Sequence, residues 1–435
     1  MKNSTRKIKI SSKKTHSLTN FIVYIYAIIA PLSTTFLDRY NLVLIAIIFS
    51  IVFFIKLIKS PNYKINKVAA YFIFLYLMIF IFSSFGQIYS IYKITDNGYV
   101  ISVISRILTI STCIITILLI SDWAEKQNTN NLLFFLKASF FSTLIFAAFG
   151  IYQIIAYKYN LPFLETRSNV YGASHEIQSQ LNFRLTSITR EPNFYAPILL
   201  ESILISIVVL NKRLFFLFLS LSLYLIFRTY STGVYIHTAI IFALFFIFIE
   251  INKVYKLLIL ILILILIYAF TINELNTDFY FYFIEKLNSE KNGESFRVFV
   301  YLTVLNSIID SNIINILFGH GVNSLQNFSD ITGMKSLTNV SASNNLFLDV
   351  LWESGILGII TFFIGMFFIG KTIYSKKYYL KKCKYRYISF MLFLSVLVTS
   401  LYRSEYTTTH FSWVFCNIII LYIIAKKNSR KNMRK

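Results

Sequence analysis

Long apolar runs alternate with short polar breaks along almost the whole chain. A helix crosses a bilayer with about twenty apolar residues. By that rule the pattern predicts spans near 18–37, 41–58, 67–86, 99–121, 132–157, 193–211, 213–230, 233–250, 254–272, 344–370, 385–402 and 407–425. The expected fold is an all-α polytopic membrane protein of about twelve transmembrane helices, forming one integral membrane domain over residues 1–435. The pair of spans around Arg228 and Gly233 is parted by a single turn, FRTYSTG. Two segments are too long to be simple turns: a first outer loop at 158–192, and a large outer loop at 273–343 before the tenth helix. Within the second, ESFRVFVYLTVLNSIID (294–310) has the amphipathic period of a helix lying on a membrane surface.

Composition agrees with the pattern. The 435 residues are 56% hydrophobic and only 14% charged, where soluble domains carry about a quarter charged residues. The net charge of +23 raises the question of nucleic acid, but its placement answers differently. With the N-terminus in the cytoplasm, the inside segments hold more than twice as many lysines and arginines as the outside ones, although the longest loops are outside. Both termini are therefore expected on the cytoplasmic side of the inner membrane. The basic excess is a topology signal and a contact for anionic lipid, with no nucleic-acid partner. The basic stretch MKNSTRKIKISSKKTHSLTN precedes the first apolar run without a small-residue cleavage site, which reads as an uncleaved first helix. Three cysteines and five histidines show no disulfide framework and no metal-ligand spacing, so neither a metal nor another cofactor is expected. The inner loops are too short for a nucleotide-sugar domain, and there is no glycine-rich nucleotide loop or Asp-x-Asp pair. Any chemistry belongs on the outer face.

The candidate residues gather there. The stretch RLTSITREPNFY, Arg184–Tyr195, places two arginines, a glutamate and a helix-starting proline where a span begins. Charged groups at that boundary are costly unless used. Arg184, Arg190 and Arg297 present guanidinium groups that bind phosphate oxygens in pairs and stay charged at any working pH. Each is open to the other reading of a loop arginine facing lipid headgroups. Glu191 is either a general base, an orienter of Arg190, or an acid favourable to the helix dipole. His320 lies between two glycines in FGHGVNS, as a catalytic imidazole or as part of a turn. Glu353 falls nine residues after Asn344, about 13 Å along its helix, and is either functional or a structural partner of Arg106, which also lies within a span. Glu201 and Asp349 share that ambiguity, and His237 reads as a packed core histidine.

Taken in order, RLTSITREPNFYA (184–196), TYSTGVY (229–235), SFRVFVYLTVL with LFGHGVNS (295–305, 317–324) and SNNLFLDVLWESGILGII (343–360) resemble the superfamily of O-antigen ligases and Wzy-type polysaccharide polymerases. The resemblance covers roughly residues 130–370. It implies a GT-C-like, metal-independent, inverting glycosyltransferase acting on undecaprenyl-diphosphate-linked oligosaccharide at the bilayer. Arg184, Arg190 and Arg297 take the place of its diphosphate-binding arginines. Glu191 and His320 are then the candidate bases, supported by Asn193, Asn344 and Glu353. A chain-length regulator is an accessory partner of such polymerases. One departure matters: Ser343 stands where ligases carry a histidine before the asparagine of the last element, which turns the expectation toward the polymerase. The rivals are a ligase and a lipid-linked sugar flippase. A flippase is expected to line a mid-membrane cavity, and the sequence shows no internal repeat.

Overall fold

The computed structural model describes residues 19–35, 38–59, 63–91, 97–163, 184–248, 296–327, 343–375, 383–404 and 408–433, with isolated positions at 254–261, 288 and 406. The described chain is helical. Helix α1 (19–29) runs into a 3-10 turn, Ala30–Thr34, and is followed by α2 (Asp38–Lys59), α3 (Lys67–Ile91), α4 (Asn97–Lys126) and α5 (Thr129–Tyr159). Then come α6 (Pro192–Val209), α7 (Lys212–Phe227) and α8 (Thr232–Phe248). Two shorter helices, α9 (Phe296–Ile309) and α10 (Ile313–Phe318), precede α11 (Leu346–Tyr374), α12 (Lys384–Thr399) and α13 (Thr409–Met433). Every expected span other than 254–272 coincides with one of these helices; that one lies almost wholly outside the described residues.

Local sequence sets the helix starts. Asn128, Asn211, Asn312 and Asn345 each stand at an N-cap and accept a backbone N–H from the first turn. The short amide satisfies a donor that the helix itself leaves open.

Helix α13 forms the axis of the bundle. It is buried at every position from Thr409 to Ala425, as a helix apolar on all sides must be. Around it pack α12, α4, α5 and the 3-10 turn, while α3 lies along α11 and α6 contacts α5, α7 and α12. The outward faces are apolar: Val43, Ile47, Ile51, Phe54 and Ile58 on α2, Ile101, Ile104 and Leu108 on α4, and Phe363 and Phe367 on α11 are all exposed. So much contiguous apolar surface is tolerable only against lipid. Among the described residues six helices are long and apolar enough to cross a bilayer, and the molecule is a polytopic membrane protein.

The two ends of the bundle differ. At one, Lys56 and Lys126 converge on Asp122, and Lys426 pairs with Glu125 at 3.0 Å. At the other lie residues 184–191, 228–231, 319–323, 343–345, 400–404, 406 and 408, and with them the candidate residues Arg184, Arg190, Glu191, His320 and Asn344.

Candidate active site

The segment 184–191 is held by its backbone. Gln153 Oε1 on α5 accepts the N–H groups of Thr186 at 3.0 Å and Ser187 at 2.7 Å, and Ser187 Oγ donates to the carbonyl of Phe146 at 2.7 Å. The N–H of Arg190 donates to Thr34 O at 3.1 Å. Next to it, the turn between α7 and α8 closes in: Leu185 N donates to Arg228 O at 3.1 Å, Arg184 Nε to Thr229 O at 3.1 Å, and Ser231 Oγ to Asn193 Oδ1 at 2.5 Å. Arg184 is half-buried in this seam, whereas Arg190 and Glu191 are exposed. Glu191 is the N-cap of α6 in extended conformation, ahead of Pro192, and its side chain makes no capping bond. The start of α6 thus presents a guanidinium and a carboxylate on a rigid mount.

A second segment completes this end. Arg403 is buried, its guanidinium lies 3.7 Å from the Phe194 ring centroid, and Nη1 donates to Asn193 O at 3.4 Å and Phe194 O at 3.3 Å. Seven residues on, His410 Nε2 meets Glu201 Oε2 at 2.9 Å, with both side chains buried. Glu201, Arg403 and His410 line a small crevice whose other walls include Leu346, Thr399, Ser400 and Phe411.

The third part is a break in α11. Gly355 has φ 68° and ψ −168°, values that stop the α-helical ladder. The carbonyls this exposes are taken by the loop after α10: His320 N donates to Trp352 O at 2.8 Å and Gly321 N to Glu353 O at 3.1 Å. The approach is close enough to exclude side chains. A Cβ on Gly355 would stand 2.4 Å from Leu317 O, and one on Gly319 (φ 80°) 2.4 Å from Glu353 O.

Just before the break lies Glu353. It stands 3.7 Å from Arg106 and accepts the hydroxyl of Tyr406, while Arg106 donates to Asn323 Oδ1, and Asn323 Nδ2 to Ser102 Oγ at 3.0 Å. Burial, and after it the neighbouring Glu353 carboxylate, hold the Tyr406 phenol well above its ordinary pKa. It therefore stays protonated and serves as a donor. The Arg106–Glu353 pairing is the structural alternative weighed for these two residues from the sequence.

His320 is buried and stacked on Trp352, ring centroids 3.9 Å apart, with Nδ1 2.9 Å from Asn315 Nδ2 and Nε2 3.1 Å from Ser311 Oγ. Asn344 has φ 59° and its carbonyl accepts Tyr301 Oη at 3.4 Å. Ser343 donates through both N and Oγ to Asp349 Oδ1, at 2.9 and 2.5 Å. His237 is fully buried between Tyr402 and Ser395, a packed core histidine as expected. Arg297 lies in the first turn of α9; its side chain is outside the described residues, as are 158–192 between 164 and 183 and most of 273–343.

The sequence reading passed over Arg403 and Tyr406 and did not join His410 to Glu201. The available signal was the polar cluster LYRSEYTTTH between the last two spans. Among the described residues no three His, Cys, Asp or Glu side chains form a cluster able to hold a metal ion.

A family model described as O-antigen ligase matches residues 216–363. That stretch runs from α7 into α11 and takes in the TYSTGVY turn, the GHG loop and the Gly355 break; Arg184–Tyr195 precedes it. No curated protein matches the chain. The resemblance to the O-antigen ligase and polymerase superfamily, read over roughly residues 130–370, is thereby supported over 216–363.

Proposed function

We propose that this protein is a polymerase of lipid-linked oligosaccharide repeat units, working on the outer face of the cytoplasmic membrane. The growing glycan on undecaprenyl diphosphate is the donor, and the terminal sugar of a new lipid-linked repeat is the acceptor. What carries the reading is the mount at the start of α6: Arg190 and Glu191 exposed side by side, with Arg184 and the buried Arg403 fixing the backbone around them.

In the reaction the acceptor hydroxyl attacks the anomeric carbon, its proton passes to a base, and the bond from that carbon to the diphosphate oxygen breaks with inversion. Negative charge builds on the leaving diphosphate. Arginines fixed beforehand stabilise that charge without a metal; Arg190 is the foremost candidate, with Arg184 and Arg297 beside it. The exposed Glu191 suits the base better than His320, whose two ring nitrogens both lie within hydrogen-bond distance of partners in α10 and the turn before it. Asn193, Asn344 and Glu353 act as supports. A chain-length regulator would act from outside this chain.

The ligase is the second reading, favoured by the matching O-antigen ligase family model. Against it, the position before Asn344 holds Ser343, tied to Asp349 and without a titratable group. Deletion in the native host, complemented with wild type, Arg190→Ala or Glu191→Ala, separates the cases on a glycan gel. A ladder collapsed to one repeat unit, restored by wild type but not by an expressed Arg190→Ala, supports the polymerase. Full-length glycan stranded on its lipid carrier means ligase. An unchanged profile eliminates both and returns the flippase.

A further inference from the structure

The pair α9–α10 lies in what the sequence shows as the largest outer loop, yet its surface is not that of a water-facing hairpin. One face of α9 is packed: Val300, Val304 and Ile308, spaced by one helical turn, cluster with Leu325 and Trp352. The outward side is also apolar. Leu302 is 52% exposed, Ile309 72%, Ile313 72% and Ile314 42%. Of the polar exposed positions, Asp310 and Asn312 lie in the turn into α10, and Asn306 is the one polar residue on the outward face, between Leu302 and Ile309.

The level of the hairpin in the bundle accounts for this. Phe318, the last residue of α10, packs against Phe82 and Phe85 of α3, with ring centroids 6.3 and 5.5 Å away. Gly319 O lies where a Cβ on Gly86 would be, 2.3 Å from that point. The apolar span of α3 ends at Tyr89, so the contact sits about one helical turn inside it. At the same level Ile81, Phe85 and Ile88 of α3 are exposed. Through Phe318 the apolar hairpin is thus joined to the end of α3 at which these apolar side chains are exposed.

From this continuity we infer that α9–α10 is an interfacial hairpin seated in the bilayer, with Leu302, Ile309, Ile313 and Ile314 against lipid acyl chains and the turn residues Asp310 and Asn312 at headgroup level. A helix with such a face settles about 5–10 Å into the boundary between headgroups and acyl chains. The GHG loop that docks on α11 is then anchored from the lipid side as well as from the protein side. The inference does not depend on the chemistry proposed for the site.

Spin labelling in nanodiscs tests it. In a background with Cys113, Cys383 and Cys416 replaced, single cysteines at Leu302, Ile309 and Ile313 carry a nitroxide. Collision rates with molecular oxygen and with a water-soluble nickel chelate are then compared at each site. Phe367→Cys provides the lipid-facing reference and Lys212→Cys the aqueous one. The expected oxygen-to-nickel ratio is several-fold above that at Lys212 and close to that at Phe367. A ratio like that at Lys212 overturns the inference, and so does low access of both reagents, which would mean that protein covers the face. Should the cysteine-free background fail to fold, wild-type protein exposed to a photoactivated apolar diazirine dissolved in the bilayer gives the same decision. Peptides over 302–314 must carry the adduct, and unlabelled peptides sink the idea.

Discussion

Tyr406 gives its phenolic hydrogen to Glu353 Oε2, and Arg106 stands 3.7 Å from Oε1 of the same carboxylate. One residue of α11 thereby joins α4 and Tyr406 through its side chain and the GHG loop through its backbone carbonyl. Breaking a buried ion pair by removing one partner costs about 3–5 kcal/mol, and losing one hydrogen bond to a charged group about 1.5–3 kcal/mol. Glu353→Leu is expected to unfold in detergent at markedly lower temperature than wild type, with Tyr406→Phe between them. Equal midpoints for all three proteins would show that the carboxylate is not the joint.

Gly355→Ala tests the break in α11. A side chain there meets Leu317 O at 2.4 Å and requires φ 68° of an L-residue. That backbone conformation, open essentially to glycine alone, costs about 1–3 kcal/mol for another residue, and the clash adds to it. The expected outcome is release of the GHG loop, seen as protease cleavage within 317–327 that wild type resists, together with loss of glycan transfer. Wild-type resistance in the alanine variant would mean that the loop docks by other contacts.

Arg403 packs flat on Phe194 and holds two carbonyls at the start of α6. A lysine keeps the charge but has neither the plane nor the fork of donors. Both Arg403→Ala and Arg403→Lys should therefore lower transfer by a similar, large factor, measured as glycan chain length per unit of membrane-inserted protein. Full activity of the lysine variant would show that charge alone matters there.

Glu191 and His320 make opposite predictions. A general base contributes about 10²–10⁴-fold to rate. Glu191→Gln should fall by that order in membranes supplied with saturating lipid-linked donor, and donor binding should be little changed. His320→Gln keeps polar groups toward Ser311 and Asn315 and should lose far less rate. The reverse ranking would move the base from α6 to the GHG loop.

Much of this architecture was legible because membrane spans are written locally. A run of about twenty apolar residues is enough to place a helix, and the FRTYSTG turn marks where one span stops and the next starts. Boundaries moved outward where polar residues prolong a helix beyond the bilayer: 99–121 became Asn97–Lys126 and 132–157 became Thr129–Tyr159. The break at Gly355 was not legible. WESGILGII reads as continuous apolar helix, and the interruption exists only because a loop more than thirty residues earlier supplies N–H groups for the freed carbonyls. Pairing across the bundle was hidden for the same reason. Nothing near Glu201 in sequence announces His410, and Arg403 looks like an ordinary loop arginine until Phe194 is beneath it.

The kink at Gly355 divides the labour within a single helix. Residues 356–374 still run for about 28 Å, enough to cross the hydrocarbon unaided. The stretch from Leu346 to Ser354 is thereby relieved of that duty and works as a bracket above the anchor. Substitutions in the bracket can then alter the outer end of the bundle while the helix's hold on the membrane stays the same.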